Sequence, residues 1–250
     1  MGSVVGTAGW TIPRDAAGAF PAEGASLERY AAVLRGAEIN SSFHRPHRLS
    51  TWRRWAESVP EAFRFSVKLP KTISHQRRLA GCDEELARFL DEAGELSPKL
   101  AILLLQLPPS FAFDAGLAED FLAGLASRSS AAIACEPRHP SWFEPEADAL
   151  LARLRVARVA ADPARVPAAA VPGGWEGLAY WRLHGSPVMY RSSYDDARLA
   201  NWAEAVAAAA GRGADAWCIF DNTASSAAMG NALDLAARLA RPVGKAAGGL

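Results

Sequence analysis

The stretch that decides the fold is residues 100–136, LAILLLQLPPSFAFDAGLAEDFLAGLASRSSAAIACE. An apolar run, Leu100–Gln106, precedes an amphipathic segment, Leu117–Leu125, and a second apolar run, Ala131–Glu136, follows. Both runs have the length of a strand and are apolar at successive positions, which is typical of strands covered on both faces. The stretch therefore predicts a βαβ unit with two parallel strands.

The same alternation of strand-length and amphipathic segments continues along the chain in both directions. The other apolar runs are Val4–Gly9, Ala37–Asn40, Phe63–Lys68, Val156–Asp162, Leu178–His184 and Ala216–Asp221. One connection differs, because Pro163–Gly177 is rich in Pro, Ala and Gly and predicts an irregular segment in place of a helix. Eight parallel strands at this length predict an α/β fold of the (β/α)8 TIM-barrel type. No linker interrupts the pattern, so residues 1–250 are predicted to form a single TIM-barrel domain.

Composition excludes several classes of protein. Half of the residues are hydrophobic, which argues against a disordered chain. The 27 basic residues balance the 27 acidic ones, so the chain is not a polycation for duplex DNA. Three cysteines without a CxxC pair argue against a disulfide framework or a thiolate zinc site. No leader pattern or membrane-length apolar run is present, so we expect a cytoplasmic protein without a membrane partner, whose oligomeric state stays unknown.

Polar side chains stand at the carboxyl ends of almost all predicted strands. In a parallel barrel these ends meet at one mouth, where binding and catalytic groups lie. Charges buried there must be paired with one another or hydrated, so a purely structural polar network is the competing interpretation. The predicted catalytic residues are Glu38, Lys68, Glu136 and His184. The predicted ligand-binding residues are Trp10, Asn40, His75, Gln106, Arg138, His139, Asp162, Arg182, Asp221, Asn222 and Ser225.

Three chemistries fit such a mouth. Glu136, Asp162 and His184 end consecutive strands and form a mixed carboxylate and imidazole set that suits a divalent metal, which would support phosphoester hydrolysis. Glu38 and Glu136 could instead form a glycosidase-type pair in which one carboxyl has a raised pKa. The third alternative is a binding protein without turnover, which holds a nucleotide or single-stranded nucleic acid through the basic segment of residues 44–54.

The last two strands also predict an anion site. Gly185 follows strand 7, so the backbone can approach a ligand closely there. Asn222 and Ser225 lie between strand 8 and the last helix, in the loops where TIM barrels frequently bind phosphate. Arg182 on strand 7 is expected to add a two-pronged contact from below.

Several motifs together resemble those of one known family. They are Gly6–Trp10 (GTAGW), Glu38–Phe43 (EINSSF), Phe63–Lys68 (FRFSVK), Gln106–Phe111 (QLPPSF), Glu136–Trp142 (EPRHPSW), Tyr180–Gly185 (YWRLHG) and Asn222-Thr223. This combination resembles the YecE-like family, the domain of unknown function 72, and the likeness extends over nearly the whole chain. The resemblance implies a TIM barrel and implies no activity.

We therefore expect a TIM-barrel protein whose polar mouth binds a phosphate-bearing small ligand. A hydrolase, metal-assisted or not, is favoured over a pure binding protein, and the substrate is unknown. A divalent metal is the one cofactor that the residues suggest, and single-stranded nucleic acid is the alternative partner.

Overall fold

The computed structural model describes residues 2–240 and alternates strands with helices along that length. The strands are β1 (Ser3–Thr7), β2 (Gly36–Ile39), β3 (Arg64–Lys68), β4 (Leu100–Gln106), β5 (Ala132–Glu136), β6 (Val156–Arg158), β7 (Ala160–Asp162), β8 (Gly173–Gly174), β9 (Leu178–Leu183) and β10 (Asp215–Phe220). The α-helices are α1 (Ser26–Ala31), α2 (Leu49–Glu57), α3 (Asp83–Gly94), α4 (Ala115–Arg128), α5 (Pro145–Arg153), α6 (Asp196–Gly211) and α7 (Ala227–Ala240). No α-helix in residues 2–240 has the length and hydropathy required to span a bilayer.

The strands form two mainly parallel sheets. One has the order β1-β10-β9-β7 and the other has the order β2-β3-β4-β5-β6-β8. All pairings are parallel except that of β6 with β8. The predicted alternation of parallel strands and helices is thus confirmed. The predicted closed barrel would need one uninterrupted series of paired strands, but the strands form two separate sheets.

Two features connect the sheets to each other. Between β1 and β2 the pairing is limited to one bridge, where Ala8 faces Glu38 and the Gly9 N–H donates to the Glu38 carbonyl at 2.8 Å. The second connection is the chain itself, because β6 and β7 are halves of one extended segment that changes partner. β6 pairs with β5, and β7 pairs with β9. The prediction of a single strand over Val156–Asp162 therefore covered two short strands.

The connection after this segment is irregular, as predicted. Residues 163–177 contain a short 3-10 turn, Pro167–Ala170, and the two-residue strand β8, which pairs antiparallel with β6. Trp175 then packs against the inner apolar cluster. The segment therefore covers one flank of the sheet and reaches the interior without forming a helix.

Two apolar layers form the core. The larger lies between the sheets and the helices. The smaller lies inside and consists of Ile102, Leu104, Ala134, Ala157, Val159, Leu178, Tyr180, Trp217 and Ile219. Because successive side chains of a strand point to opposite faces, these residues identify the inward positions of their strands. Two residues further on, the same inward positions hold polar side chains, so the interior changes from apolar to charged towards the carboxyl ends.

Candidate functional site

The polar cluster forms because successive side chains of a strand point to opposite faces of the sheet. On β9, Leu178 and Tyr180 belong to the inner apolar cluster, and Arg182 is the next residue on that face. His184 continues the same series just beyond the strand. The equivalent steps lead from Ala134 to Glu136 on β5, from Leu104 to Gln106 on β4, and from Ile219 to Asp221 after β10. These five side chains therefore come together because each occupies the same inward position at the end of its strand.

Arg182 is the centre of the cluster and is fully buried. Its Nε and Nη2 donate to the two oxygens of Glu38 at 3.0 and 2.6 Å, which is a two-pronged contact. Nη1 donates to Glu136 Oε2 at 2.5 Å, and Nη2 also reaches Asp221 Oδ2 at 3.0 Å. Burial would lower the pKa of Arg182, but the three carboxylates raise it well above its usual value. One guanidinium thus holds three acids of three different strands.

His184 joins two of these acids from the side. Its Nδ1 lies 3.0 Å from Asp221 Oδ2 and its Nε2 lies 3.0 Å from Glu136 Oε1. Burial would lower the pKa of His184, but Glu136 first and Asp221 second raise it above 6.5. With a carboxylate on each nitrogen, the imidazolium that donates from both is the favoured form.

Glu136 is held by four partners. Besides Arg182 and His184, it accepts from Gln106 Nε2 at 2.9 Å and from Arg138, whose Nη2 lies 3.2 Å from Oε1. Burial would raise the pKa of Glu136, but Arg182, then His184 and Arg138, keep it well below 4.5. A carboxylate in this environment stays ionised, which is the opposite of what a general acid requires.

Glu38 is the most deeply placed acid and is also fully buried. Its Oε2 accepts from the Tyr180 hydroxyl at 2.8 Å as well as from Arg182. The same hydroxyl lies 2.9 Å from Ser66 Oγ. The two acids of the predicted glycosidase-type pair, Glu38 and Glu136, are therefore bridged by the Arg182 guanidinium.

Lys68, at the end of β3, lies above this network. Its Nζ is 4.1 Å from the centroid of the Phe43 ring, a cation–π contact, and 6% of the residue is exposed. Burial first and Arg182 second lower its pKa from 10.5 to about 8, against the opposing effect of the carboxylates. Within residues 2–240, Nζ makes no hydrogen bond. This amine is therefore the basic group of the mouth that the protein leaves unpaired.

The His75 imidazole contacts the same Phe43 ring as the Lys68 amine. His75 is partly buried, its Nδ1 is 2.9 Å from Ser74 Oγ, and its ring lies edge-on to Phe43 with the centroids 5.0 Å apart. Burial first, then the charges of Lys68 and Arg138, lower the pKa of His75 below 6.5. The two cations and this imidazole thus act on one region of the mouth.

The predicted metal triad is not assembled. Asp162 stands at an outward position of β7, where its oxygens accept from Arg198 Nη2 at 2.8 Å and from the Tyr194 hydroxyl at 2.7 Å. Glu136 and His184 do meet, but as a hydrogen-bonded pair. Over residues 2–240, no group of three or more His, Cys, Asp or Glu side chains is arranged to hold a metal ion. The prediction of Asp162 as a ligand beside these two residues is therefore wrong.

The anion site predicted after strands 7 and 8 is also arranged differently. Arg182 is buried among carboxylates and has no surface for a ligand. The exposed Ser225 donates to the Arg191 carbonyl, and Asn222 Nδ2 donates to the Ser192 carbonyl at 2.9 Å. Gly185 does have the predicted backbone freedom, with φ 93°, and its N–H donates to the Tyr194 hydroxyl at 2.8 Å. These loops bind one another, so Arg182 cannot contribute to an anion site there.

Three remaining predicted residues lie at the edge of the mouth. Trp10 packs edge-on against Trp55, with centroids 5.1 Å apart. His139 Nδ1 is 2.8 Å from Ser141 Oγ and so caps the turn that follows β5. Asn40 Nδ2 reaches Asp221 Oδ1 at 3.5 Å. Trp10 and His139 have structural contacts, and Asn40 is a weak neighbour of the charged network.

Sequence reasoning missed two aromatic members. Tyr180 binds Glu38, and its position two residues before Arg182 on the inward face would have identified it. Phe43 forms the surface under the Lys68 amine, and it ends the quoted EINSSF motif. Tyr180 lies inside β9 and Phe43 lies in the turn after β2, so neither stands at the carboxyl end of a strand, where the site was predicted.

Comparison with known proteins gives the family. Residues 4–248 match the model described as "Protein of unknown function DUF72". The UPF0759 protein YecE of Escherichia coli is 34% identical over 119 residues, which are 47% of this chain and 43% of that protein. The chain thus matches less than half of this relative's length.

Solved structures agree with this result. A DUF72 family protein of Enterococcus faecalis superimposes with a TM-score of 0.80 at 21% identity, over 96% of each chain. A xylose isomerase-like TIM barrel/4-hydroxyphenylpyruvate dioxygenase fusion protein gives a TM-score of 0.52 at 15% identity, over 85% of this chain and 39% of that one. These likenesses show a TIM-barrel-like fold, and because the family model covers nearly the whole sequence, the chain belongs to the DUF72 family.

Proposed function

We propose that the mouth binds a small ligand with an anionic group, of which phosphate is the first candidate. The observation that carries the proposal is the position of Lys68 over the Phe43 ring, which His75 also contacts, with an amine that no described residue pairs. The three interior carboxylates are already matched by Arg182, Arg138 and the His184 imidazolium. Adding Lys68 gives the mouth a local excess of positive charge although the whole chain has none.

Burial increases the effect of that charge. A cation in a partly desolvated site attracts an anion more strongly than the same cation in water, because the surrounding medium screens less. Phosphate oxygens also accept hydrogen bonds from ammonium and guanidinium groups, which are among the stronger hydrogen bonds in proteins. A carboxylate ligand could use the same contacts, so phosphate is tested against it directly.

We further propose that the two sheets act as one closed barrel around this mouth. The Ala8–Glu38 bridge and the shared segment of β6 and β7 support this arrangement. It explains why acids from β2, β5 and the end of β10 reach one guanidinium. The buried network of charged side chains would then form a rigid base for the ligand site.

Binding is better supported than hydrolysis. A metal-assisted phosphoester hydrolase would need ligand atoms that are free, but both Glu136 oxygens and both His184 nitrogens already have partners. A glycosidase-type mechanism would need a carboxyl with a raised pKa, whereas the pKa of Glu136 is lowered. These contacts therefore support ligand binding at the mouth rather than hydrolysis.

Calorimetric titration with inorganic phosphate, pyrophosphate and acetate tests the proposal. We expect the phosphates to bind and Lys68→Met to weaken them about tenfold or more, because a charge-assisted hydrogen bond contributes about 1.5–3 kcal/mol. The matched control is Lys71→Met, which removes an exposed amine three residues away and should leave the affinity unchanged. Equal affinities of the two variants, or a preference for acetate, would overturn the phosphate site at Lys68.

A nucleic-acid ligand is the second candidate because one specific surface favours it. Arg45, Arg48 and Arg54 are all exposed on the segment that follows β2, beside the mouth. Binding of a short single-stranded oligonucleotide would then fall steeply with salt and depend on these arginines. Oligonucleotide binding that survives Lys68→Met but is lost in Arg48→Met would favour this surface over the proposed small-ligand site.

A further inference from the structure

Lys68 differs from every other lysine that the structure describes. The sequence contains four lysines, of which Lys245 lies outside the described residues. Lys99 is buried too, but its Nζ donates to two backbone carbonyls at 2.6 and 2.7 Å, which fix its amine as a structural cation. Lys71 is exposed to solvent. Lys68 alone combines a buried stem with an amine that no described residue holds.

The position of this amine suits a nucleophile. Nζ lies 4.1 Å from the centroid of the Phe43 ring, and no hydrogen bond within residues 2–240 fixes the direction of the amine. The side chain stands at the carboxyl end of β3, among the other inward residues of the mouth, and 6% of the residue remains accessible to solvent. The amine is therefore partly accessible to a small molecule at the mouth, as is the Asp221 carboxylate, which is 7% exposed.

The charges around the amine come from five elements or loops. Arg182 on β9 disfavours the ammonium form, while Glu38 on β2, Glu136 on β5 and Asp221 after β10 favour it, and burial outweighs these. His75 lies in the helical turn after β3, and burial first and the charges of Lys68 and Arg138 second lower its pKa. The pKa of Lys68 of about 8 means that about a tenth of the amines are neutral at pH 7. That fraction is enough for lysine to act as a nucleophile.

We propose that Lys68 forms an imine with the carbonyl carbon of a phosphate-bearing aldehyde or ketone held at the mouth. The inference rests on the proposed anion site, which supplies the position of the phosphate, and it adds the substrate class and a covalent step. Arg138 and His75 would contact the phosphate, so that the carbonyl end of a short molecule lies near Nζ.

The step is balanced without any oxidant or reductant. The lone pair of neutral Nζ adds to the carbonyl carbon, the C=O π electrons pass to oxygen, and that oxygen takes up a proton as nitrogen releases one. The carbinolamine then loses its hydroxyl as water, after protonation by solvent, and the C=N bond forms. The product is a protonated imine and one water molecule.

The network behind Lys68 suits this product. A protonated imine carries the same single positive charge as the ammonium group it replaces, so the carboxylates of Glu38, Glu136 and Asp221 keep their balance. The positive C=N group also withdraws electrons from the neighbouring carbon, which is the usual benefit of lysine imines in catalysis. A site of fixed charges can therefore hold the ammonium group and the protonated imine without rearranging.

Trapping with borohydride tests the inference in the wild-type chain. The probe is pyridoxal phosphate, a phosphate-bearing aldehyde whose imine absorbs visible light, and pyridoxal is the matched aldehyde without phosphate. Sodium borohydride reduces the imine to a stable secondary amine, and peptide mass spectrometry identifies the labelled lysine. Lys71 serves as the internal control in the same sample, and Lys68→Met provides the variant without the amine.

We expect Lys68 to be labelled about tenfold faster than Lys71, as befits a partly neutral amine in a binding site. The rate at Lys68 should be half-maximal near pH 8, should exceed that with pyridoxal, and should fall when inorganic phosphate is added. Labelling of Lys71 in preference to Lys68 would overturn the inference. If phosphate binds but Lys68 is not trapped, the anion site stands and the imine fails. If Lys68 is trapped equally by both aldehydes, the amine is nucleophilic and the phosphate site fails.

Discussion

Replacement of Arg182 by methionine is the sharpest test of the charged network. Methionine has a similar reach and no charge, so the substitution removes four hydrogen bonds to three carboxylates and leaves the packing volume nearly unchanged. Glu136 and Asp221 still have the His184 imidazolium, and Glu136 still has Arg138. Glu38 loses the one ion pair that residues 2–240 give it and remains fully buried.

Removal of one partner of a buried ion pair costs about 3–5 kcal/mol, because the other charge stays desolvated. We expect Arg182→Met to lower the free energy of unfolding at pH 7 by about this amount, mainly through Glu38. A domain with a typical stability of about 5–15 kcal/mol would remain measurable after such a loss. The exposed pair of Arg153 with Glu119 provides the control, and Arg153→Met should leave the unfolding midpoint unchanged.

The pH dependence gives a second readout with a definite sign. Although burial would raise them, Arg182 keeps the pKa of Glu136 well below 4.5 and that of Asp221 below 3.8. Groups with lowered pKa values stabilise the folded state above their unfolded pKa, and this contribution is lost as pH falls through the folded pKa. Without Arg182 these carboxyls gain protons more readily in the folded state, so the difference between wild type and variant should shrink from pH 7 to pH 4.

Urea denaturation of both proteins at the two pH values measures this difference. Urea is preferred to guanidinium because it does not screen charges. A loss below about 1 kcal/mol at pH 7 would place Arg182→Met within the range of an ordinary surface pair and would refute the network as a stabilising unit. A difference that grows towards pH 4 would refute the assigned signs.

Two further substitutions examine the joint between the sheets and the protonation of the site. Gly6→Ala should destabilise the fold by about 1–3 kcal/mol or more, because the added Cβ would overlap the Gly36 carbonyl oxygen. In the control, Gly124→Ala in α4, the added Cβ meets no atom, so this variant should be slightly more stable than the wild type. Thermal unfolding compares the two variants. Glu136→Gln should lower the pKa of His184, since Glu136 is the main group that raises it, and an unchanged imidazole titration by NMR would contradict this assignment.

Much of the architecture follows from periodicity in the sequence. Eight strand-length runs predicted the strands of both sheets except the two-residue β8, and the Pro, Ala and Gly content of residues 163–177 predicted the irregular connection that contains β8. Periodicity could not predict that Val156–Asp162 changes partner halfway, because pairing depends on neighbouring strands and not on the segment itself. The same limit applies to β1 and β2, where only one bridge forms.

The candidate site could be predicted as far as one rule was applied strictly, namely that successive side chains of a strand point inward and outward in turn. Arg182, Glu136 and Asp221 lie on inward positions and do meet. Asp162 has the opposite parity to Ala157 and Val159, so the same rule places it outside, where it binds Arg198. Spacing alone could not show that Arg182 would be saturated by carboxylates, because the strength of pairing depends on side-chain geometry in three dimensions.

The distribution of partners decides which chemistry the mouth can offer. The acids that suggested a catalytic site in the sequence already have hydrogen-bonding partners. Glu136 stays ionised beside the Arg182 guanidinium, so it has no proton to donate as a general acid. In our proposals the reactive group is instead Lys68, whose stem the protein buries without giving its amine a partner in residues 2–240. The fixed acids then define the field in which that amine works. A ligand for this mouth should therefore be an anion with an electrophilic end, and a neutral sugar would leave the charge of Lys68 unmatched.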